Sequence, residues 1–174
     1  VLNGQMGRDL TFLVGKDRAT ARKVTYRAMS GGEYSGLIFD NLLEWRRKRV
    51  EERSGGRLAY MHIAGMGGGN FQTFNEEAYE ETRGKKGAII DVRNNGGGNI
   101  SDRLIDQIER KPNSYYVPRD GEVEFAPTYA WDLPTVVMMA ESSFSNAEMF
   151  PSAMRSRGLA KLVGKQTPGY VIWT

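Results

Sequence analysis

The sequence predicts an α/β fold built on a largely parallel sheet. From residue 57 onward, short apolar runs alternate with amphipathic segments, strand then helix, three times before a last strand. Two of these runs, residues 87–92 (Gly-Ala-Ile-Ile-Asp-Val) and 134–140 (Pro-Thr-Val-Val-Met-Met-Ala), are apolar almost throughout, which suits strands covered on both faces. Glycine- or serine-rich corners follow three of the strands, where α/β proteins carry their functional loops.

The elements follow in order. Residues 10–15 and 21–26 are two apolar stretches around a Gly-Lys-Asp-Arg turn, and the second alternates polar with apolar, as a half-buried hairpin strand does. Ser30-Gly31-Gly32 punctuates the chain. Residues 40–53 read as a helix, with Asp40 or Asn41 as N-cap. Its Arg46-Arg47-Lys48-Arg49 run is interleaved with Glu44, Glu51 and Glu52 at ion-pairing spacings, so it reads as a solvated connecting helix and not a nucleic-acid patch. Ser54-Gly55-Gly56 stops it. Strands are expected at 58–63, 87–92, 134–140 and 159–163, and helices at 70–83, 100–110 and 145–157. Residues 111–133 hold three prolines and read as irregular, with a short strand pair. The chain organises as 1–30, a β segment; 31–56, a linker helix; and 57–174, the core.

Composition narrows the chemistry. A chain of 174 residues with 40% hydrophobic and 26% charged residues has enough apolar content for a real core. No cysteine is present, which excludes disulfides and thiolate chemistry, and the single histidine, His62, excludes a multi-histidine metal site. A net charge of +3 gives no argument for nucleic acid, and no apolar run is long enough to span a bilayer. Val1 in place of a starting methionine, and an apparent strand cut off at 170–174, predict a fragment of a longer protein.

Three corners carry the chemistry. Gly65-Met66-Gly67-Gly68-Gly69-Asn70 approaches the dinucleotide-binding pattern, with Asp91 as a ribose-binding acid, but Asn70 stands where a glycine is needed. A flexible loop is the preferred reading. Asp91-Val92-Arg93-Asn94-Asn95-Gly96-Gly97-Gly98-Asn99 places three glycines between a buried strand and a helix. Its exposed amides suit an anion or oxyanion, and a tight turn with glycines for steric reasons fits equally well. Glu141-Ser142-Ser143-Phe144-Ser145-Asn146-Ala147-Glu148 presents Ser145 at a strand-to-helix corner, as a nucleophile elbow does. Ser145-x-x-Glu148 is also a capping box, and from these residues alone the cap is the preferred reading. His62, inside an apolar strand, reads as a packed core histidine, and it is the one imidazole this chain could offer a serine.

Together these motifs resemble the tail-specific, or C-terminal processing, serine protease superfamily. Residues 87–98 match its glycine loop; Ser145-Asn146-Ala147-Glu148-Met149-Phe150 is similar to its nucleophile segment; residues 158–167 are similar to the Gly-x-x-x-x-Val-Gly-x-x-Thr stretch that follows. The tricorn branch is the nearest in pattern, through residues 45–66, and residues 9–29 resemble the last strands of its PDZ domain. The resemblance implies a ClpP/crotonase-like core preceded by a β-hairpin remnant of a PDZ domain. It implies a serine endopeptidase, with Ser145 as nucleophile and the Gly98 and Asn146 amides as oxyanion donors; Gly97 and His62 would support them. Peptide or unfolded protein is the implied substrate, with no cofactor, metal, nucleic acid or membrane segment; separately, the apolar edges of a truncated PDZ remnant and a cut final strand point to association into a homo-oligomer. The tricorn likeness favours the cytoplasm and leaves the periplasm open.

Two departures qualify it. The serine–lysine proteases of this superfamily carry a lysine 25 residues after the nucleophile, and that position here is Tyr170. The tricorn branch takes its histidine and glutamate from regions upstream and downstream of those matched here, so the base is expected outside this chain. The residue after the glycine loop that selects basic substrates aligns with Tyr116, near Asp120, so that preference is not carried across. The competing reading is a non-catalytic peptide- or ligand-binding module on the same fold.

Overall fold

The structure, a computed structural model, describes residues 4–121 and 123–171. Residues 172–174 of the expected final strand lie outside the described residues. The chain forms two compact units, Val1–Trp45 and Arg46–Thr174.

In the first unit, β1 (Asp9–Val14) and β2 (Arg22–Arg27) pair antiparallel, with Asp9 opposite Arg27 and Val14 opposite Arg22. Asp17 shapes the turn by accepting hydrogen bonds from the Ala19 and Thr20 amides at 3.0 and 2.8 Å. Helix α1 (Gly31–Ser54) begins well before the expected residue 40. A capping box explains the early start: the Glu33 amide donates to Ser30 Oγ at 3.1 Å, and the Ser30 amide donates to Glu33 Oε2 at 2.6 Å. Asp40 and Asn41, expected as caps, lie inside the helix.

The second unit holds the end of α1 and the sheet. Strands β3 (Leu58–His62), β4 (Gly87–Asp91), β7 (Thr135–Met139) and β8 (Ala160–Gly164) form one parallel sheet in the order β3-β4-β7-β8. Helices α2 (Gly68–Glu81), α3 (Ser101–Ile108) and α4 (Asn146–Ser156) follow β3, β4 and β7. A short antiparallel pair, β5 (Ser114–Tyr116) with β6 (Glu124–Ala126), interrupts the irregular stretch.

Side-chain alternation sorts the two faces. Ala59, Met61, Ile63, Ala88, Ile90, Val92 and Val137 point inward and share one core with Phe74, Leu104, Phe150 and Met154 of the helices. The other face is only partly covered, contrary to the expectation of burial on both sides. Tyr60, His62 and Asp91 are buried there, while Val136 and Met138 are half-buried and Val163 is exposed. Among the described residues, no helix is long and apolar enough to cross a membrane.

Candidate active site

The three corners lie at the carboxyl end of the sheet, and their backbones are bonded to one another. Met66, in the first corner, donates its amide to the Gly97 carbonyl at 3.0 Å and accepts from the Asn99 amide at 2.7 Å. The Asn70 side chain fills the space over this corner, accepting from the Gly67 amide at 3.3 Å. A Cβ on Gly65 would stand 3.1 Å from Asn70 Oδ1. The first glycine run is therefore occupied by its own chain, which argues against the dinucleotide reading.

Buried polar groups join the second corner to the third. Asn95 is fully buried; its Nδ2 donates to the Ile63 carbonyl at 2.8 Å and its Oδ1 accepts from the Gly97 amide at 2.9 Å. Its carbonyl accepts from the Phe144 amide at 2.9 Å. Ser143 Oγ donates to the Val92 carbonyl, and Ser142 Oγ donates to Asn94 Oδ1. No sequence pattern announced the ties between the corners, because those from Asn95 to Phe144, Val92 to Ser143 and Asn94 to Ser142 join residues about fifty positions apart.

Gly97 and Gly98 are glycines for a steric reason. Both have positive φ, 93° and 149°. A Cβ on Gly97 would lie 2.8 Å from Ser145 Cβ, and one on Gly98 would lie 2.1 Å from the Met66 carbonyl oxygen. The loop thus sits directly against the serine corner on one side and the first corner on the other.

Ser145 has φ 53° and ψ −118°, a strained conformation for a residue with a Cβ. Its hydroxyl makes no cap hydrogen bond; the Glu148 amide bonds the Ser145 carbonyl instead, at 2.8 Å. Only the reciprocal half of the capping box forms with a side chain, from the Ser145 amide to Glu148 Oε1 at 3.0 Å. Glu148 Oε2 accepts from the Gly169 amide at 2.6 Å. Burial opposes ionisation of Glu148, but hydrogen bonds from Thr167 and from the Gly169, Ser145 and Tyr170 amides outweigh it and lower its pKa. Tyr170 packs against Phe144 at 5.2 Å between ring centroids. The position at which a serine–lysine enzyme carries its lysine is thus an aromatic contact beside the corner.

Ser145, Gly97, Gly98 and Asn146 come together; His62 does not join them. It lies on the sheet face opposite the helical core, with Nδ1 3.9 Å from Asp91 Oδ2. Asp91 is the centre of a second cluster that no motif pointed to beyond a conjectured ribose contact. Tyr60 Oη donates to Asp91 Oδ2 at 2.6 Å, Arg93 Nη2 donates at 2.6 Å, and Arg46 Nη1 stands at 3.5 Å. Burial raises the cost of its charge, yet the nearby His62 and hydrogen bonds from Arg93 and Tyr60 prevail and hold its pKa well below the usual range. Burial first, and then the Asp91 carboxylate, push Tyr60 up to about 12. Arg46 and Arg47 are therefore not purely solvated charges, since Arg47 also pairs with Glu77.

A four-stranded parallel sheet carrying a strained serine at a strand-to-helix corner, with a glycine loop packed against it, defines the class: an α/β core of the serine-hydrolase kind. Residues 57–173 match the model of peptidase family S41, and the chain belongs to that family. It is 34% identical to tricorn protease homolog 2 of Streptomyces coelicolor over 78% of this chain and 12% of that protein. It is 33% identical to the tricorn protease of Thermoplasma acidophilum over 82% of this chain and 14% of that protein. A crystal structure of the tricorn protease superposes with a TM-score of 0.87 and 27% identity, over 99% of this chain and 16% of that one. The chain therefore spans a small part of the length of the curated relatives it matches.

Proposed function

We propose that this chain is the core of a serine endopeptidase. Ser145 Oγ attacks the scissile carbonyl carbon, and its proton passes to a base outside these 174 residues. The oxyanion forms beside the Gly98 and Asn146 amides, which make no hydrogen bond among the described residues. The C–N bond breaks as the amine takes the proton, and water then hydrolyses the ester. The observation that carries this reading is a strained serine whose hydroxyl is not spent as a cap, packed against a glycine loop with unspent amides. Membership of the S41 family supports it. Peptide is the substrate this reading implies, β1 and β2 read as the end of a PDZ domain, and self-association accompanies it.

One observation favours a second reading, a peptide-binding module without catalysis: the single histidine of the chain faces Asp91. A fluorophosphonate probe separates the two. Labelling that disappears in Ser145→Ala, in a sample containing the flanking regions that carry the base, supports the enzyme. Peptide binding without labelling, in a sample containing the flanking regions of the parent, supports the module.

A further inference from the structure

The Asn146 side chain does something that its expected role as a backbone donor does not require. The residue is buried, and its carboxamide faces away from Ser145 into the start of α3. Oδ1 accepts from the Ile100 amide at 3.0 Å and from the Ser101 amide at 2.9 Å. Nδ2 donates to Ser101 Oγ at 2.8 Å. The amides of a helix's first turn lack intrahelical partners and are ordinarily capped by the residue at the N-cap. Here the N-cap is Ile100, whose side chain has no acceptor. The cap arrives from the first residue of a different helix.

The location gives the bond its meaning. Ile100 follows Gly98 by one intervening residue, and Asn146 directly follows Ser145. One carboxamide therefore spans the two segments that supply the two amides. The backbone bonds of Gly97 and Asn99 to Met66 hold the loop to the first corner, and the Asn146 carboxamide is what holds its far end to the serine corner. Oxyanion donors act only when held about 2.7–3.1 Å from the developing charge. A misplacement of about 1 Å can cost roughly 10²-fold in rate.

We propose that Asn146 is a positioning residue, whose side chain fixes the Gly98 loop in register with the Ser145 corner. This rests on the peptidase reading above. The experiment compares Asn146→Ala and Asn146→Asp with the unsubstituted protein, each carrying the flanking regions that supply the base, measuring fluorophosphonate labelling rate and amide NMR in the same samples. Both variants keep the backbone amide, and aspartate keeps the acceptor. Leu104→Ala, which lowers stability without touching the clamp, controls for general loosening. The expected result is labelling slowed about 10²-fold in Asn146→Ala, near normal in Asn146→Asp, and near normal in Leu104→Ala below its melting temperature. The Gly98 amide resonance should move, and protection of Ile100 and Ser101 should fall, in Asn146→Ala alone. Labelling of Asn146→Ala at the normal rate, or an unmoved Gly98 resonance, overturns the proposal while leaving the peptidase reading intact. If the unsubstituted protein with its flanking regions does not label, that counts against the peptidase reading, and the Gly98 resonance alone decides the clamp.

Discussion

The strain at Ser145 is measurable at a single residue. Its φ of 53° costs a side chain with a Cβ about 1–3 kcal/mol. Ser145→Ala keeps that cost and Ser145→Gly removes it. Both variants should lose labelling, and the glycine variant should be the more stable by about 1 kcal/mol in urea unfolding, since glycine gives back part of the gain as unfolded-chain entropy. Equal stabilities would show that the corner stores no strain. Asp91 makes a second prediction at this scale. Its native pKa lies below the ~3.9 of an unfolded chain, so its stabilisation is complete above that value and is lost as the pH falls through the native one. Glu148 acts in the same direction. Glu77, raised chiefly by burial, acts in the opposite direction. Removing the Asp91 charge strands Arg93 and Arg46, so Asp91→Asn should cost about 3–5 kcal/mol at neutral pH. The stability of the variant should also depend less steeply on pH below about 4; a parallel pH profile would show that Asp91 is not the titrating group.

At the scale of elements, periodicity located the four strands of the parallel sheet and the three helices that follow them to within a few residues, because each packs a face on a common core; the exposed pair β5 and β6 was expected but not placed. The start of α1 was misjudged because Gly31-Gly32 reads as a break, although the Ser30-x-x-Glu33 box that overrides it was visible in the sequence. The serine corner and glycine loop were legible as motifs, since close backbone approach demands glycine and an exposed elbow demands a particular turn. The ties that hold them, Asn95 to Ile63 and Gly97, and Asn146 to Ile100 and Ser101, were not legible. All but the local Asn95–Gly97 bond join distant segments, and all use residue types that are common in any loop. Steric fit at this scale yields a test: Gly98→Ala puts a methyl group 2.1 Å from the Met66 carbonyl oxygen, with backbone on both sides unable to yield cheaply. It should destabilise the chain by about 1–3 kcal/mol or more and abolish labelling, as read by thermal melting and probe incorporation. A variant with unchanged melting would mean that the two corners are less tightly joined.

At the scale of the molecule, stability is unevenly distributed. No described residue between 4 and 45 is buried, whereas the buried hydrophobic residues run from Ala59 to Met154. The first unit is held by one two-stranded ladder and its local caps, and an isolated hairpin is marginal in water. The second unit joins all four parallel strands and three helices to one core. Local opening should therefore be inexpensive in the first unit and approach global unfolding in the second. Hydrogen exchange read by mass spectrometry checks this directly. Peptides from residues 9–27 should exchange fully before those from 59–63, 88–92 and 135–139 begin to. Within α1 the contrast should fall along a single helix. Its last turns are tied to the core through Arg46 and Arg47, and should be protected longer than its first turns despite the Ser30 cap. Arg46→Ala with Arg47→Ala should erase that gradient while leaving β3 and β4 protected. Uniform protection along α1 before the substitutions would mean that the first unit draws stability from more than its own hairpin and cap.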